Sequence, residues 1–560
     1  MLPAPRPRSP QEGMASKEKG TIEHASHSPD ESEINLITYH EDNAGRLVCD
    51  LEEAKVEFGE TISSQLKLSR DGQYVLRPQP TDDPEDPQNW SDREKTLQLV
   101  IITLAAIVPD FDSGIGIAAI FALAEEHDTT PGVINNLTSK LGGIFAVMLM
   151  RRLGRLPVLF WSQVLALGFL VGCTFAPDLA TFAGMRCLTA FFATAPQVTG
   201  LYVVTDMYPF HRQARKVPSS SMIHFQVPYR PTWMYLNIWT MGFISSPFLS
   251  SFAFGFLVAR QSWRWAYGIG CMYSVVVVVL IVFFGRETLY DRGLRPVPKP
   301  KATGLKLRIQ NLVGITGLHM QQYRPPWKKC AFDIVRVLWR PHLLATLLFE
   351  AAVFGFSIGI NVTNAVFLGN TPVVGFGFNS TQISALYATP LVAVLVGEII
   401  GRYFNDWVMR TSMRRRMSNS FSTINARTVD RRFCNLDKGV FEAENRLWTC
   451  YVAMVLYVVG FVLLGAAIQS KLNTGALVMG WGIAEVAVMI NTVAIYAYAN
   501  DCFPKHAGEI SALINLARTL GGFSVAYFQV PWAEKHGAVQ VYGVEVAVCA
   551  ALFFLVVPTV

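Results

Sequence analysis

The sequence predicts an all-α membrane protein of twelve transmembrane helices in two sets of six, on three observations: its composition, apolar runs of bilayer length, and basic residues between those runs. Of the 560 residues, 51% are hydrophobic and 16% charged, whereas about a quarter of a soluble domain is charged. That apolar excess needs lipid as its solvent. A bilayer core of ~30 Å takes roughly 20 apolar residues in helix. Runs bounded by charge, Pro or Gly occur at 97–123, 141–150, 157–175, 179–204, 236–258 and 265–284. A second set follows at 343–368, 383–404, 448–468, 475–499, 510–530 and 539–560. The second run is atypically short, about ten residues or ~15 Å of helix.

The connections set the direction. With a cytosolic N-terminus the even connections should carry the Lys/Arg excess. They do: Arg151, Arg152 and Arg155 follow the second span, Arg212, Arg215 and Lys216 the fourth, and Arg410 and Arg414 to Arg416 the eighth. The odd connections are nearly bare of basic residues, and the first holds Glu125, Glu126 and Asp128. Both termini are expected in the cytosol and the protein in the cell membrane. The organisation read from this is a polar, disordered tail over 1–95, a six-helix half over 96–285, a basic linker over 286–341 and a second half over 342–560. The tail has no apolar segment of the kind that starts a secretory signal. Asn379-Ser380-Thr381 falls in an outward connection and is a candidate glycan acceptor. Nine cysteines lie far apart with no CxxC, so free, helix-packed thiols and no metal site are expected. The net charge of +6 sits in short segments between spans, which suits membrane orientation rather than nucleic-acid binding.

Short motifs make a resemblance specific. Asp83-Pro-Glu-Asp-Pro-Gln-Asn-Trp90 resembles the segment before the first span of fungal major facilitator transporters. Met150-Arg151-Arg152-Leu153-Gly154-Arg155 resembles the Asp-Arg-x-Gly-Arg hinge loop of that superfamily, with Arg151 where the loop usually carries Asp. Gly401-Arg402-Tyr403-Phe404-Asn405-Asp406 looks like its second-half copy. Gly242, Ser246, Pro247 and Ser250 are similar to the antiporter motif, with Ser replacing two glycines. The chain thus resembles the major facilitator superfamily, in its fungal drug:proton antiporter branch, over about 83–560. The resemblance implies two halves related by an axis along the membrane normal, a monomer, gating at these motifs, and a proton-coupling role for Arg186 in span four. It also implies that a stretch between Ser139 and Gly142 is missing and that 217–235 and 417–436 are excess, as over-trimmed and retained introns would leave them, with genuine loop variation the alternative for the two insertions.

A charge at membrane depth costs at least ~2.5 to 3.5 kcal/mol on insertion scales, so each one inside a span invites a functional reading. Asp110 and Asp112 interrupt span one and Arg186 interrupts span four, either as cavity groups that exchange protons or as a buried ion pair that fixes packing. Glu398 in span eight and Glu485 and Asn491 in span ten are second-half candidates. Glu350 reads as an interfacial charge near the mouth of span seven. Tyr202, Trp481, Tyr496 and Tyr498 are candidates to line a cavity, and Gly355 to Gly359 with Gly521-Gly522 allow close helix approach. Neither a phosphate-binding loop nor a hydrolase motif occurs, so a cofactor-free, non-enzymatic protein is expected. Proton-coupled export of a drug or secondary metabolite leads. Uptake of an organic cation such as a polyamine, and a transporter-like sensor, stay open.

Overall fold

The computed structural model describes residues 81–129, 143–208, 233–292, 304–369, 376–424, 443–503 and 506–558, with isolated positions between 55 and 80. The first half comprises α1 (Asp92–Ala118) continued by α2 (Ile120–Glu126), α3 (Gly143–Leu153), α4 (Arg155–Thr174), α5 (Leu179–Ala193) continued by α6 (Ala195–Met207), α7 (Trp233–Val258) and α8 (Trp263–Phe284). Three short helices follow in the linker: α9 (Gly304–Val313), α10 (Ile315–Met320) and α11 (Trp327–Leu338). The second half is α12 (Pro341–Gly369), α13 (Ser380–Leu386) continued by α14 (Ala388–Ile424), α15 (Thr449–Gln469), α16 (Thr474–Cys502), α17 (Ala507–His536) and α18 (Ala538–Val556).

Polar caps fix where several of these helices begin. The Ser91 hydroxyl accepts the Glu94 N–H while the Glu94 carboxylate reaches back to the Ser91 N–H, and Asn379 and Gln382 do the same for α13. Asp178, Ser262 and Asn473 cap α5, α8 and α16. Between α3 and α4 the chain turns at Gly154, whose φ of +110° disfavours any residue with a Cβ. Glu287, just past α8, closes that turn by accepting the Arg155 and Leu156 N–H groups at 3.0 and 3.2 Å.

Most spans fall within a few residues of the predicted runs. Of the second, the described part is Gly143–Leu153, 11 residues or ~16 Å of helix; 130–142 lies outside the described residues. So do 217–232 and 425–436, and the tail up to residue 54. Within the supposed excess of the eighth connection, 417–424 is a continuation of α14 rather than loop.

The segment before α1 is tied down. Asp86 is fully buried, caps the turn Pro87–Asn89, accepts from the Thr81 N–H at 3.0 Å and takes two hydrogen bonds from Arg292 at 2.7 and 3.1 Å. Burial pushes its carboxyl up, but the hydrogen bond and charge of Arg292 with the Thr81 and Gln88 N–H groups outweigh it and hold the group below its ordinary range.

The two halves meet at both ends of the bundle. At the linker end the Tyr202 hydroxyl donates to Glu509 at 2.6 Å and Arg151 donates to the same carboxylate at 2.8 Å. At the opposite end a Cβ on Gly369 would fall 2.5 Å from the Phe121 ring, and Val366 packs among Ile115, Ile120 and Leu123. Within the second half α12 and α17 touch backbone to backbone, since a Cβ on Gly355 would lie 2.6 Å from the Gly521 carbonyl carbon.

Candidate functional site

Between these closures, at mid-depth, lies a cavity of about 160 Å³ lined by both halves. From the first half come Asp110 and Ser113 of α1, Thr194 and Gln197 beside and on α6, and Pro247 with Phe248 of α7. The second half supplies Ser357 and Asn361 of α12, Glu485 of α16 and Arg518 of α17.

Each charged group is held differently. Asp110 accepts the Gln197 amide at 2.6 Å. Glu485 takes the Ser357 hydroxyl at 3.0 Å and the Asn361 amide at 2.8 Å on one oxygen, Oε1. Asn361 is itself fixed: its side-chain oxygen accepts the Trp481 indole N–H at 2.9 Å and its carbonyl accepts the Tyr387 hydroxyl. Arg518 donates through Nε and Nη2 to Glu350 Oε1 at 2.8 and 2.7 Å, with its guanidinium between the rings of Phe354 and Tyr496 at 4.0 and 4.7 Å. Thr492 and Asn491 complete the shell of Glu350. With every carboxylate ionised the group carries one positive and three negative charges; Glu350 balances Arg518, which leaves a net excess of two negative charges.

Several expectations need correcting. Glu350 is no interfacial charge: it is fully buried and is the counter-ion of Arg518. Of the two acids in span one, it is Asp112 that lies on the same void as Arg186. Two residues apart on a helix point to different sides, so Asp110 faces the central cavity while Asp112 lines a separate void of about 20 Å³ within the first half, together with Arg186 and Tyr267. There Arg186 donates to the Tyr267 hydroxyl at 2.6 Å and to the Ser113 carbonyl at 3.5 Å; the void has room for about one water. Glu398 is buried on α14 but is not among the cavity-lining residues, and Asn491 stands one shell behind. None of the four aromatics lines the cavity: Trp481 and Tyr496 act on Asn361 and Arg518, Tyr202 engages Glu509, and Tyr498 is buried elsewhere.

The motif residues are placed as follows. Arg151 bridges Glu509 and Asp333 of α11, each at 2.8 Å. Arg152 lies 4.8 Å from the Trp327 ring, and Arg155 pairs with Asp206 and stacks 4.6 Å from Tyr202. A Cβ on Gly242 would come 2.9 Å from Thr103 of α1, and Pro247 reaches the cavity wall. Gly401 packs against the Ile490 backbone, and Asn405 is buried with no amide partner among the described residues. The side chain of Asp406 lies outside the described residues. Asn379 is the cap of α13.

Arg518, Gln197, Ser357 and Asn361 were not singled out from the sequence. For Arg518 the signal was present, since it stands mid-run in Leu-Ala-Arg-Thr-Leu-Gly-Gly and meets the same membrane-depth criterion as Asp110. The others are uncharged, and only the fold brings them to the cavity.

Two helical halves that share a largely apolar cavity carrying a few charged and polar side chains fit a membrane transporter. The match to the family model of the Major Facilitator Superfamily over residues 102–526 is explicit, and the chain belongs to that superfamily. Among curated relatives, the MFS transporter fsa7 of Fusarium sp. (strain FN080326) is 26% identical over 216 residues, 37% of this chain and 39% of that protein. The efflux pump radE of Floropilus chiversii is 20% identical over 471 residues, 81% of this chain and 78% of that one. The fold is shared with the solved proton:xylose symporter XylE, at 13% identity and a TM-score of 0.51 over 84% of this chain and 97% of that chain.

Proposed function

We propose that this protein is a proton-coupled exporter of a small organic compound, a drug or secondary metabolite, working by alternating access in the cell membrane with both termini cytosolic. One observation carries the reading: Asp110 and Glu485, one from each half, face the same cavity, where a proton and a polar or cationic solute can compete for the same carboxylates. The Arg518–Glu350 pair beside them supplies a fixed, internally balanced charge. A curated relative that is named as an efflux pump supports the direction. The cavity, about 160 Å³, is smaller than the roughly 300–1,000 Å³ of drug-sized sites, so loading requires the halves to part at one end. The chain acts as a monomer, with the 286–341 linker on the cytosolic side.

The acidic excess of the cavity favours organic cations over anions, and uptake of such a cation is the second reading. Purified protein in liposomes tests both. An imposed proton gradient should drive cationic and neutral amphipathic dyes against their concentration, and Glu485→Gln should abolish the gradient's effect while leaving counterflow exchange. Dye movement indifferent to the gradient overturns proton coupling; accumulation of a polyamine down the proton gradient selects uptake.

A further inference from the structure

Two linker helices carry apolar rows that no described part of the bundle covers. On α11 the buried stripe Cys330, Ile334 and Val337 packs on the bundle, and Asp333 beside it bonds Arg151. At ~100° per residue the opposite side presents Phe332, Val335 and Trp339, which are 64, 55 and 80% exposed. Next to that row stand Lys329, Arg336 and Arg340, all exposed and without an ion pair among the described residues. On α9, Leu305, Ile309 and Val313 recur every fourth residue at 73, 51 and 42% exposure, with Lys306 at the edge.

The position of α9 says what covers it. Its last carbonyl, Val313, accepts the Trp161 indole N–H of α4 at 3.1 Å, and Arg308 donates to the Val282 carbonyl of α8 at 2.8 Å. Trp161, Phe283 and Phe284 are themselves exposed side chains of spanning helices, which in a membrane means facing lipid. The α9 row therefore prolongs a lipid-facing surface.

We propose that α9 and α11 lie in the interface of the leaflet at the linker end, their apolar rows in the acyl boundary and the basic stripe of α11 on anionic lipid headgroups. An apolar row flanked by Lys and Arg is the arrangement that binds such a surface, and it combines acyl burial with attraction to the negative leaflet. Because Asp333 shares Arg151 with Glu509, α11 is joined to the contact that closes the linker end. The anionic surface thereby bears on that closure.

Hydrogen–deuterium exchange of the full chain tests this in three settings: detergent micelles, phosphatidylcholine nanodiscs, and nanodiscs with about 30 mol% phosphatidylserine. Peptides covering 304–313 and 327–338 should exchange more slowly in neutral discs than in micelles. The 327–338 peptide should slow by about a further tenfold in anionic discs, and that further protection should vanish near 1 M salt, where the Debye length falls to about 3 Å. K329E/R336E/R340E should remove the anionic increment while exchange in α12 and α16 stays unchanged. Equal exchange in all three settings overturns the proposal, as does protection that appears only when a soluble protein is added.

Discussion

Arg518 and Glu350 form a pair whose members are 3 and 0% exposed, deep between α12 and α17. Removing one partner leaves the other charge buried, at about 3–5 kcal/mol, while removing both is far less harmful. Glu350→Gln should therefore lower the melting temperature of the purified protein by several degrees, and Glu350→Gln with Arg518→Gln should recover most of the loss. A double variant as unstable as the single would show that the pair is not the reason. Asp110→Asn keeps the Gln197 contact in size and removes titration. It should traffic normally and lose at least about tenfold of proton-driven transport, and an unchanged pH profile would leave Asp110 a packing residue. At this scale the sequence is legible in part. A charge inside an apolar run announces itself, but which group it faces does not, because the partners are 81, 87 and 168 residues apart in sequence. The sequence does not say which of the two acids in span one stands by Arg186; the rotation of α1 sets Asp112 on the void that Arg186 and Tyr267 share, and gives Asp110 to Gln197.

At the scale of elements, the spans were readable because twenty apolar residues in a row have few other uses, although α1 begins at its Ser91 cap, several residues before the apolar run. The extension of α14 was not, since its later turns are polar and basic, with no periodic apolar face to mark a helix. The hinge between α3 and α4 offers a direct check. Gly154→Ala forces a Cβ at φ +110° and within 2.5 Å of Glu287 Oε2, so about 1–2 kcal/mol of stability should be lost, read as a lower melting temperature. The Asp86–Arg292 clasp adds a pH signature. Its carboxyl is lowered in the folded state, so the stability it contributes is fully present above the unfolded value of about 4 and is lost as pH falls through the folded value. The melting difference between the wild type and Asp86→Asn should be constant over about pH 5 to 7 and shrink below about pH 4. A difference that persists in acid would place the effect of Asp86 in something other than its charge.

For the whole molecule, composition and run spacing specified two sets of six spans, and the basic bias of the even connections supplied an orientation. A tag after Asp128 or at Asn379 should be reached by an impermeant reagent on intact cells, whereas one at Lys306 should not; labelling at Lys306 would reverse the topology and the cytosolic assignment of the linker. Which ends of the halves touch was not legible, because those contacts join residues such as Tyr202 and Glu509 that the chain separates widely. The backbone contact of Gly355 with Gly521 has a genetic consequence. Any side chain added at Gly355 meets main-chain atoms of α17, and no exchange on α17 can shorten a main chain. A screen for second-site suppressors of Gly355→Val should return only Gly355 revertants, while cavity positions such as Ser357 should accumulate viable alleles that shift the range of compounds handled.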